Sequence, residues 1–235
     1  MAILVTGAGG GIGAAIVSEL LDAGRDVIAQ DLRAGDVVQG VHWITGDLSN
    51  AEGVAALASS LGNESLDAVI IAHGIDASGA IDGLDVTIID RSLRINGASV
   101  IWLYEALRDR LSRTEGAFVA ISSQAGLVGE PKLSAYCAAK FAVVGWAKAT
   151  SAVSRDVPIR ILCPGCTETE LLLGGQRIRA EQRGVTFERH MSDLMAQIPV
   201  GRLAEPRQTA AAAVYLATAD NAPTVLAATG GQVLY

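Results

Sequence analysis

The stretch that decides the fold is residues 3–31, which read ILVTGAGGGIGAAIVSELLDAGRDVIAQD. The apolar run from Ile3 to Val5 predicts a strand, and the apolar residues after the glycines recur at helical spacing until Gly24. Asp26 to Gln30 then predicts a second strand. Strand, tight loop, helix and strand in this order predict a βαβ unit, whose two strands run parallel in one sheet.

The same alternation continues along the rest of the chain. Short apolar runs follow at 68–72, 116–121 and 159–163, and helical stretches separate them. Near-continuous apolar strands that alternate with helices are typical of a parallel sheet that is covered on both faces. We therefore predict the α/β class, with one doubly wound parallel sheet and helices on both of its faces.

The length of 235 residues favours one domain over two, so residues 1–235 are expected to form a single unit. Within it, residues 170–199 are richer in charge and carry apolar side chains at helical spacing near their end. We predict that this segment is an insertion that covers the substrate. A core-facing helix with no special role is the alternative.

The charge and hydropathy of the chain limit its partners. The formal net charge is -7, which repels a phosphate backbone, and 50% of the residues are apolar, as in globular proteins. No apolar run reaches the roughly 18 residues that span a bilayer, and Met1 leads straight into an apolar strand. We expect no nucleic acid and no membrane as partner, and a cytoplasmic location.

The cysteines favour the same compartment. Cys137, Cys163 and Cys166 cannot all pair with one another, which suits a reducing environment. Cys163 and Cys166 have the spacing of redox dithiols and of zinc half-sites. A zinc site needs further ligands, and the three histidines are scattered singly. We therefore predict no metal site.

The glycine-rich loop Thr6–Gly13 lies between the first predicted strand and the first predicted helix. Glycines at this junction let backbone amides approach a pyrophosphate at the positive end of the helix. This context predicts a dinucleotide site. Domains that bind S-adenosylmethionine, and plain tight turns, contain similar loops and are the alternatives.

Asp31 ends the second predicted strand, where a carboxylate can accept hydrogen bonds from both hydroxyls of an adenosine ribose. The 2′-phosphate of NADP would bring roughly two more negative charges beside this carboxylate. Arg33 is the nearby cation in the sequence that could compensate. Asp31 therefore favours NAD over NADP, and a solvated strand-end residue is the alternative.

Tyr136 and Lys140 stand at i and i+4 on a predicted helix, so their side chains project from one face. Appreciable phenolate at neutral pH requires the tyrosine pKa to fall well below its reference value of about 10. An ammonium about 4 Å away contributes about 4 kcal/mol at an effective dielectric near 20, which predicts that Lys140 lowers the pKa of Tyr136. Such pairs are common on amphipathic helices, but Ser122 and Ser123 end an upstream strand at the expected ligand crevice.

These motifs, taken in order, resemble the short form of the short-chain dehydrogenase/reductase family along essentially the whole chain. The loop matches T-G-x-x-x-G-x-G, and Tyr136 with Lys140 matches Y-x-x-x-K. The resemblance implies a Rossmann-type fold and an NAD(H)-dependent oxidoreductase that interconverts a secondary alcohol and a ketone by hydride transfer. It also implies a small-molecule substrate and a homo-oligomer, either a tetramer or a dimer.

The resemblance further implies a role for each site residue. Ser123 would steady the substrate oxygen while Tyr136 exchanges the hydroxyl proton as general acid or base. Lys140 would bind the nicotinamide ribose, and Asn96 would hold a relay water. The residues implied to bind the cofactor are Thr6, Gly7, Gly9, Gly11, Ile12, Gly13, Asp31, Asp47, Leu48, Ala72, His73, Gly74, Tyr136, Lys140, Pro164, Gly165, Thr167 and Thr169.

Two segments depart from the family's pattern. The usual Asn-Asn-Ala-Gly reads Ile-Ala-His-Gly at 71–74, and we interpret His73 as a packing or ribose-contact residue rather than as a base. The usual Val-Asp-Gly-Gly reads Ala-Thr-Gly-Gly at 228–231, which can alter subunit contacts.

Other functions stay open at this point. A dehydratase, an epimerase or a carbon–carbon lyase can keep the same cofactor and tyrosine, although the extended branch of the family carries a different glycine pattern. A non-catalytic NAD(H) sensor commonly loses the tyrosine or the lysine, and both are present here. Gln124, Val128, Glu130 and residues 170–199 are expected to line the substrate site, and no single compound stands out.

Overall fold

Seven parallel strands form one sheet in the computed structural model, which describes residues 2–77 and 85–233. The strands are β1 (Ala2–Thr6), β2 (Val27–Asp31), β3 (Val41–Thr45), β4 (Leu66–Ile71), β5 (Ala117–Ile121), β6 (Ile159–Pro164) and β7 (Val225–Ala228). They lie in the order β3-β2-β1-β4-β5-β6-β7 across the sheet.

Helices cover both faces of this sheet. The helices are α1 (Gly11–Asp22), α2 (Ala51–Ser60), α3 (Val86–Leu93), α4 (Ser99–Ser112), α5 (Ser134–Ser151), α6 (Glu170–Arg183), α7 (Phe187–Met195) and α8 (Pro206–Thr218). A π-helical turn, Arg94–Ala98, joins α3 to α4, and a 3₁₀ turn, Gln124–Gly126, follows β5. Apolar side chains of α1 and α8 pack on one face of the sheet, and those of α2, α4 and α5 pack on the other.

The residues of β1 show how the sheet is buried between two helical layers. Ile3 and Val5 belong to the core that lies under α1 and α8, whereas Leu4 belongs to the core on the opposite face. All three side chains are fully buried. Because successive strand residues point to opposite faces, a strand that is apolar at every position needs a helix layer on each side.

The path of the chain across the sheet reverses between β1 and β4. From β1 the chain proceeds through β2 to β3 at one edge, returns to β4 on the other side of β1, and continues to β7. In open parallel sheets, ligands bind in the crevice at the carboxyl ends of the strands where this reversal occurs. The ends of β1 and β4 therefore mark the expected site.

The predicted α/β class, the parallel sheet and its two helical faces are confirmed. Every strand predicted from an apolar run is present, whereas β3 and β7 were not predicted. β3 contains a histidine and a tryptophan at the sheet edge, and every residue of β7 is only partly buried. β3 therefore lacks a continuous apolar run, whereas β7 reads VLAA and is apolar throughout but only four residues long.

Candidate active site

A cleft of about 1420 Å³ opens at the carboxyl ends of the strands, above the reversal between β1 and β4. Its volume exceeds the roughly 300–1,000 Å³ of ordinary small-molecule pockets. Two of the predicted catalytic and cofactor residues, Thr6 and Asn96, do not line it, and neither do the predicted substrate-lining residues Gln124, Val128 and Glu130. The predicted residues that do line it are Gly7, Gly9, Gly11, Ile12, Gly13, Asp31, Asp47, Leu48, Ala72, His73, Gly74, Ser123, Tyr136, Lys140, Pro164, Gly165, Thr167 and Thr169.

The glycine-rich loop brings the N-terminus of α1 to the wall of this cleft. Gly10 is the N-cap residue, and no side chain caps the helix there, so its first backbone N–H groups remain available to a ligand. A Cβ at Gly13 would lie 2.0 Å from the carbonyl oxygen of Gly7, which itself adopts a φ of 65°. The tight loop therefore requires glycine at both positions, and it fits an anionic group such as a pyrophosphate.

Asp31 lies beside this loop, as its position at the end of β2 predicts. Its Oδ2 accepts a hydrogen bond of 2.9 Å from the amide of Gly9, and its Oδ1 accepts one of 2.7 Å from the amide of Leu32. A carboxylate has about four acceptor positions, so further hydrogen bonds from a ligand are possible. Arg33 lines the same cleft.

Two predicted cofactor residues also have structural contacts of their own. The hydroxyl of Thr169 accepts a hydrogen bond of 3.2 Å from the amide of Leu172 and so caps α6. The Thr167 hydroxyl lies 2.9 Å from that of Thr209 in a buried pair. Capping by Thr169 explains why α6 begins at the rim of the cleft.

Ser123, Tyr136 and Lys140 meet on the wall of the cleft, as the sequence predicts. Tyr136 and Lys140 lie on successive turns of α5, with the ammonium 5.6 Å from the centre of the tyrosine ring. The hydroxyl of Tyr136 lies within interaction range of Ser123, whose Oγ accepts a hydrogen bond of 3.1 Å from the Ala125 amide. Lys140 Nζ donates 3.0 Å to the carbonyl of Ile121 at the end of β5.

The electrostatics of this cluster differ from the sequence prediction. Burial raises the pKa of Tyr136 to about 12, and the hydrogen bond from Ser123 offsets only part of that effect. Burial also lowers the pKa of Lys140 to about 8. Both shifts have one cause, because desolvation disfavours the charged form of each group. The protein's own groups therefore do not lower the tyrosine pKa, contrary to our expectation.

Asn96 lies in the π-helical turn, behind the wall of the cleft, and is fully buried. Its Oδ1 accepts a hydrogen bond of 2.9 Å from the amide of Ile75, and its Nδ2 donates one of 3.1 Å to the carbonyl of the same residue. Nδ2 also donates 3.2 Å to the hydroxyl of Ser92. The side-chain amide thus fixes the segment after β4, and the relay water stays a prediction.

His73 joins the two strand ends at the reversal point to the π-helical turn, a role that the sequence did not reveal. Its Nδ1 lies 2.8 Å from Thr6 Oγ1, and its Nε2 lies 2.8 Å from Ser99 Oγ. Ser99 donates its own proton 2.8 Å to the carbonyl of Ile95. Nε2 must therefore carry the histidine proton, and Nδ1 accepts from Thr6. Burial, followed by the charge of Lys140, lowers the pKa of His73 to about 4.

Sequence reasoning also missed an ion pair at the mouth of the cleft. Asp76 follows β4, and Arg179 lies on α6, with Oδ1 and Nη2 3.8 Å apart. Both residues line the cleft. No local signal could have found this pair, because its partners are distant in sequence and neither belongs to a motif.

The Cys163–Cys166 spacing does not correspond to a redox or metal site among the described residues. Burial raises the pKa of both thiols to about 11, which disfavours the thiolate that either chemistry needs. Within residues 2–77 and 85–233, no group of three or more His, Cys, Asp and Glu side chains could hold a metal ion.

The fold and the cleft define the class of this protein, which is a Rossmann-type α/β protein with its ligand crevice at the strand reversal. The sequence profile described as short chain dehydrogenase matches residues 1–177. The chain therefore belongs to the short chain dehydrogenase family, a family of oxidoreductases that bind a nicotinamide cofactor.

Individual relatives agree with this assignment. The chain is 33% identical to D-threitol dehydrogenase of Mycolicibacterium smegmatis, with 92% of this chain and 85% of that protein covered. It is 30% identical to 2-(S)-hydroxypropyl-CoM dehydrogenase 3 of Xanthobacter autotrophicus, with 91% and 88% covered. The structure of a short chain dehydrogenase family protein from Francisella tularensis superposes with a TM-score of 0.90 at 23% identity, covering 98% of this chain and 97% of that one.

None of the helices within residues 2–77 and 85–233 is both long enough and apolar enough to cross a membrane.

Proposed function

We propose that this protein is an NAD(H)-dependent dehydrogenase or reductase that interconverts a secondary alcohol and a ketone. The observation that carries the proposal is the cluster of Ser123, Tyr136 and Lys140 on the cleft wall, with the two hydroxyls close enough to interact. Adjacent hydroxyls suit one substrate oxygen that gains or loses a proton. The names of the two relatives, a hydroxypropyl-CoM and a threitol dehydrogenase, support the same chemistry.

Each residue of the cluster has a distinct part in the proposed reaction. Ser123 would donate a hydrogen bond to the substrate oxygen, and Tyr136 would take its proton during oxidation and return one during reduction. A bound nicotinamide supplies the hydride acceptor or donor. Since burial raises the pKa of Tyr136 to about 12 with Lys140 already beside it, its deprotonation needs added positive charge, which an oxidised nicotinamide ring would provide.

We propose NAD rather than NADP as the cofactor. The uncapped N-terminus of α1 would hold the pyrophosphate, and Asp31 would accept hydrogen bonds from the adenosine ribose. A 2′-phosphate beside this carboxylate would be repelled, although Arg33 is near enough to the cleft to reduce that repulsion. The other glycine-loop and strand-end residues named above are proposed to complete the cofactor site.

Asn96 is proposed to support the site with its side chain, in addition to the relay-water role that the family resemblance implies. Its amide oxygen and nitrogen already bind both backbone groups of Ile75, which follows the cofactor-facing residues 72–74. It would therefore act as a positioning residue for that segment.

We further propose that residues 1–235 act as one domain in which α6 and α7 cover the substrate. The chain would function as a homo-oligomer, a dimer or a tetramer, in the cytoplasm. Three free cysteines suit a reducing compartment.

The proposal is tested by following absorbance at 340 nm with the purified protein, NAD or NADP, and a panel of secondary alcohols, diols and sugar alcohols. The matching ketones are run in reverse with NADH or NADPH. We expect turnover of one substrate group with NAD and at most weak turnover with NADP. Tight NADH binding without turnover of any compound would instead favour a cofactor sensor or a non-redox reaction.

Replacing Tyr136 with phenylalanine tests the proton-transfer role directly. We expect Tyr136→Phe to lower kcat by about 10²-fold or more, because it removes a general acid and base and leaves the ring in place. NADH binding, measured by fluorescence, should persist. The control is Tyr215→Phe, because Tyr215 lies on α8 and is 45% exposed. Undiminished turnover by the Tyr136 variant would refute the mechanism.

A further inference from the structure

A second cavity, of about 220 Å³, extends the cleft on the side of the reacting hydroxyls. Ser123, Leu133, Gly165 and Arg179 line both spaces, so the second cavity begins beside the proposed catalytic serine. It is far larger than the roughly 10–15 Å³ that one water molecule requires. It can therefore receive part of a substrate whose reacting oxygen lies at Ser123.

One wall of this cavity presents a hydrogen-bond acceptor that has no partner within the described residues. Gln124 is 6% exposed, and its Nε2 donates 2.8 Å to Oε1 of Glu130. The carboxylate fixes the orientation of the amide, because the flipped amide would set two oxygens against each other. Gln124 Oε1 is consequently buried without a hydrogen bond, and it needs a donor from a ligand.

The opposite wall, formed by α6 and α7, presents donors. Nη1 of Arg183 donates to Nδ1 of His190 at 2.8 Å, so the proton of His190 is on Nε2. Nε2 then donates 2.8 Å to Oε1 of Gln176, a residue that is 3% exposed. Gln176 uses its oxygen in this chain and keeps its NH₂ group as a donor.

The charges around the cavity are largely balanced. Arg179 pairs with Asp76 at 3.8 Å, and Arg183 pairs with Asp193 at 2.9 Å. Glu130 contributes a carboxylate to the lining. A substrate carboxylate would meet this negative charge and a buried acceptor, and a hydrocarbon group would leave that acceptor unsatisfied.

Uncharged groups that both donate and accept hydrogen bonds suit the lining of this cavity best. Four glutamines line the cavity, namely Gln124, Gln176, Gln197 and Gln232. Primary amides offer donors and acceptors without net charge, and a hydroxyl can bond to either.

We propose that this cavity binds a second hydroxyl group of the substrate, so that the alcohol oxidised is a diol or polyol whose second hydroxyl donates to Gln124 Oε1. This inference rests on the proposed function and specifies its substrate class. The second hydroxyl lies on a carbon near the reacting one, because Ser123 borders both spaces.

The wild-type protein tests the proposal with matched substrates. Butane-2,3-diol is compared with butan-2-ol, and cyclohexane-1,2-diol with cyclohexanol, at saturating NAD. We expect kcat/KM to be at least about tenfold higher for each diol, because the mono-alcohol leaves a buried acceptor unsatisfied. 3-Hydroxy-2-methylbutyrate, which carries a carboxylate in place of the second hydroxyl of butane-2,3-diol, should also be poorer than that diol. Equal values for diol and mono-alcohol, or a preference for the hydroxy acid, would overturn the proposal.

A variant locates the effect at Gln124. Gln124→Met keeps the length of the side chain and removes the acceptor, so the diol to mono-alcohol ratio of kcat/KM should fall by about tenfold or more. Gln182→Met, on the exposed surface of α6, makes the same chemical change outside the cavity and should leave the ratio unchanged. NADH fluorescence and the melting temperature show whether each variant is folded. An unchanged ratio in a folded Gln124 variant would contradict the proposal.

The measurements distinguish a failure of the proposed dehydrogenase function from a failure of the diol inference. If mono-alcohols and diols are oxidised equally well, the dehydrogenase assignment stands and the diol inference is wrong. If nothing is oxidised, the melting temperature of the NADH complex is measured with each diol and mono-alcohol. Stabilisation by the diols alone would still support the cavity as a hydroxyl site, and equal or absent stabilisation would refute it.

Discussion

His73 joins three elements at the centre of the sheet through the hydrogen bonds of its ring. It bonds to Thr6 at the end of β1 and to Ser99 at the start of α4 while following the end of β4. Both bonds use the neutral ring, with the proton on Nε2. Burial of the ring, followed by the positive charge of Lys140, lowers the pKa of His73 to about 4, and protonation would also put a second donor against Thr6.

The lowered pKa of His73 predicts acid-sensitive stability. The folded-state pKa, about 4, lies below the ordinary histidine value of 6.5, so between these two pH values the unfolded chain binds a proton and the folded protein does not. Stability is therefore retained above pH 6.5 and lost as the pH falls toward 4. One pKa unit is about 1.4 kcal/mol, and the partly exposed ring reduces the effect, so we expect about 2 kcal/mol or less between pH 7 and 5.

Urea denaturation at pH 7 and pH 5 measures this loss. His73→Asn should lose less stability than the wild type over this interval, because the titrating ring is absent. His42→Asn, at an exposed position on β3, provides the control and should behave as the wild type. The hypothesis fails if the pH dependence of His73→Asn equals that of the wild type.

At the residue scale, the side-chain positions that follow from a fixed spacing along the chain could be predicted from the sequence. Tyr136 and Lys140 are neighbours because i and i+4 share a helix face, and Ser123 follows a buried strand. The pKa of Tyr136 could not be predicted, because it depends on how deeply the three-dimensional fold buries the phenol. The same holds for Gln124, whose free oxygen is defined only by its bond to Glu130.

At the scale of elements, α6 and α7 form much of the wall of both the cleft and the second cavity. α6 packs mainly on α7, and it meets the ends of the strands through a few contacts. One is the Arg179–Asp76 pair, and another is the close approach of Gly175, where a Cβ would lie 2.8 Å from Asp76 Oδ2. A segment held in this way should be stabilised when ligands fill the cleft beneath it.

Hydrogen exchange tests this role for residues 170–199. We expect amides of α6 to exchange at least about threefold more slowly with NADH bound, and more slowly again with NADH and a ketone, because local opening must then break ligand contacts. The second half of α4, which does not line the cleft, serves as the internal control. Unchanged exchange in α6 with both ligands bound would exclude a covering role.

The elements that the sequence did not predict were missed for different reasons. β3 carries His42 among its apolar residues, and β7 is apolar but has only four residues. The π-helical turn at Arg94–Ala98 depends on contacts of Asn96 and Ser99 with the segment after β4, which no local pattern encodes. By contrast, α1 was predicted closely, because glycines bound it on both sides.

For the whole molecule, the sequence was sufficient to predict the layered sheet, because the order of strands and helices restricts the topology.

The surface of α5 is where we expect the proposed oligomer to form. Phe141 is 44% exposed, and Ala138, Ala142, Gly145 and Ala149 are exposed on the same helix. Small side chains around one aromatic residue allow a second helix to approach closely.

Light scattering coupled to gel filtration tests self-association through α5. We expect the wild type to have twice or four times the mass of a monomer, and Phe141→Glu to reduce that mass, because burying an unpaired carboxylate at an interface is costly. Val153→Glu alters a residue that is 77% exposed beyond the end of α5 and should leave the mass unchanged. A monomeric wild type would contradict the proposed assembly.

The π-helical turn between α3 and α4 also constrains how the length of this chain can change. Such a turn contains one residue more than a regular α-helix would use over the same span. Each residue of an α-helix adds about 100° of rotation and 1.5 Å of rise. Deletion of Gly97 would let the helix continue regularly, but it would turn Asn96 by about 100° relative to Ser99. The register of this helix is therefore fixed by the contacts of Asn96 with Ile75 and of Ser99 with His73, which lie on either side of the extra residue.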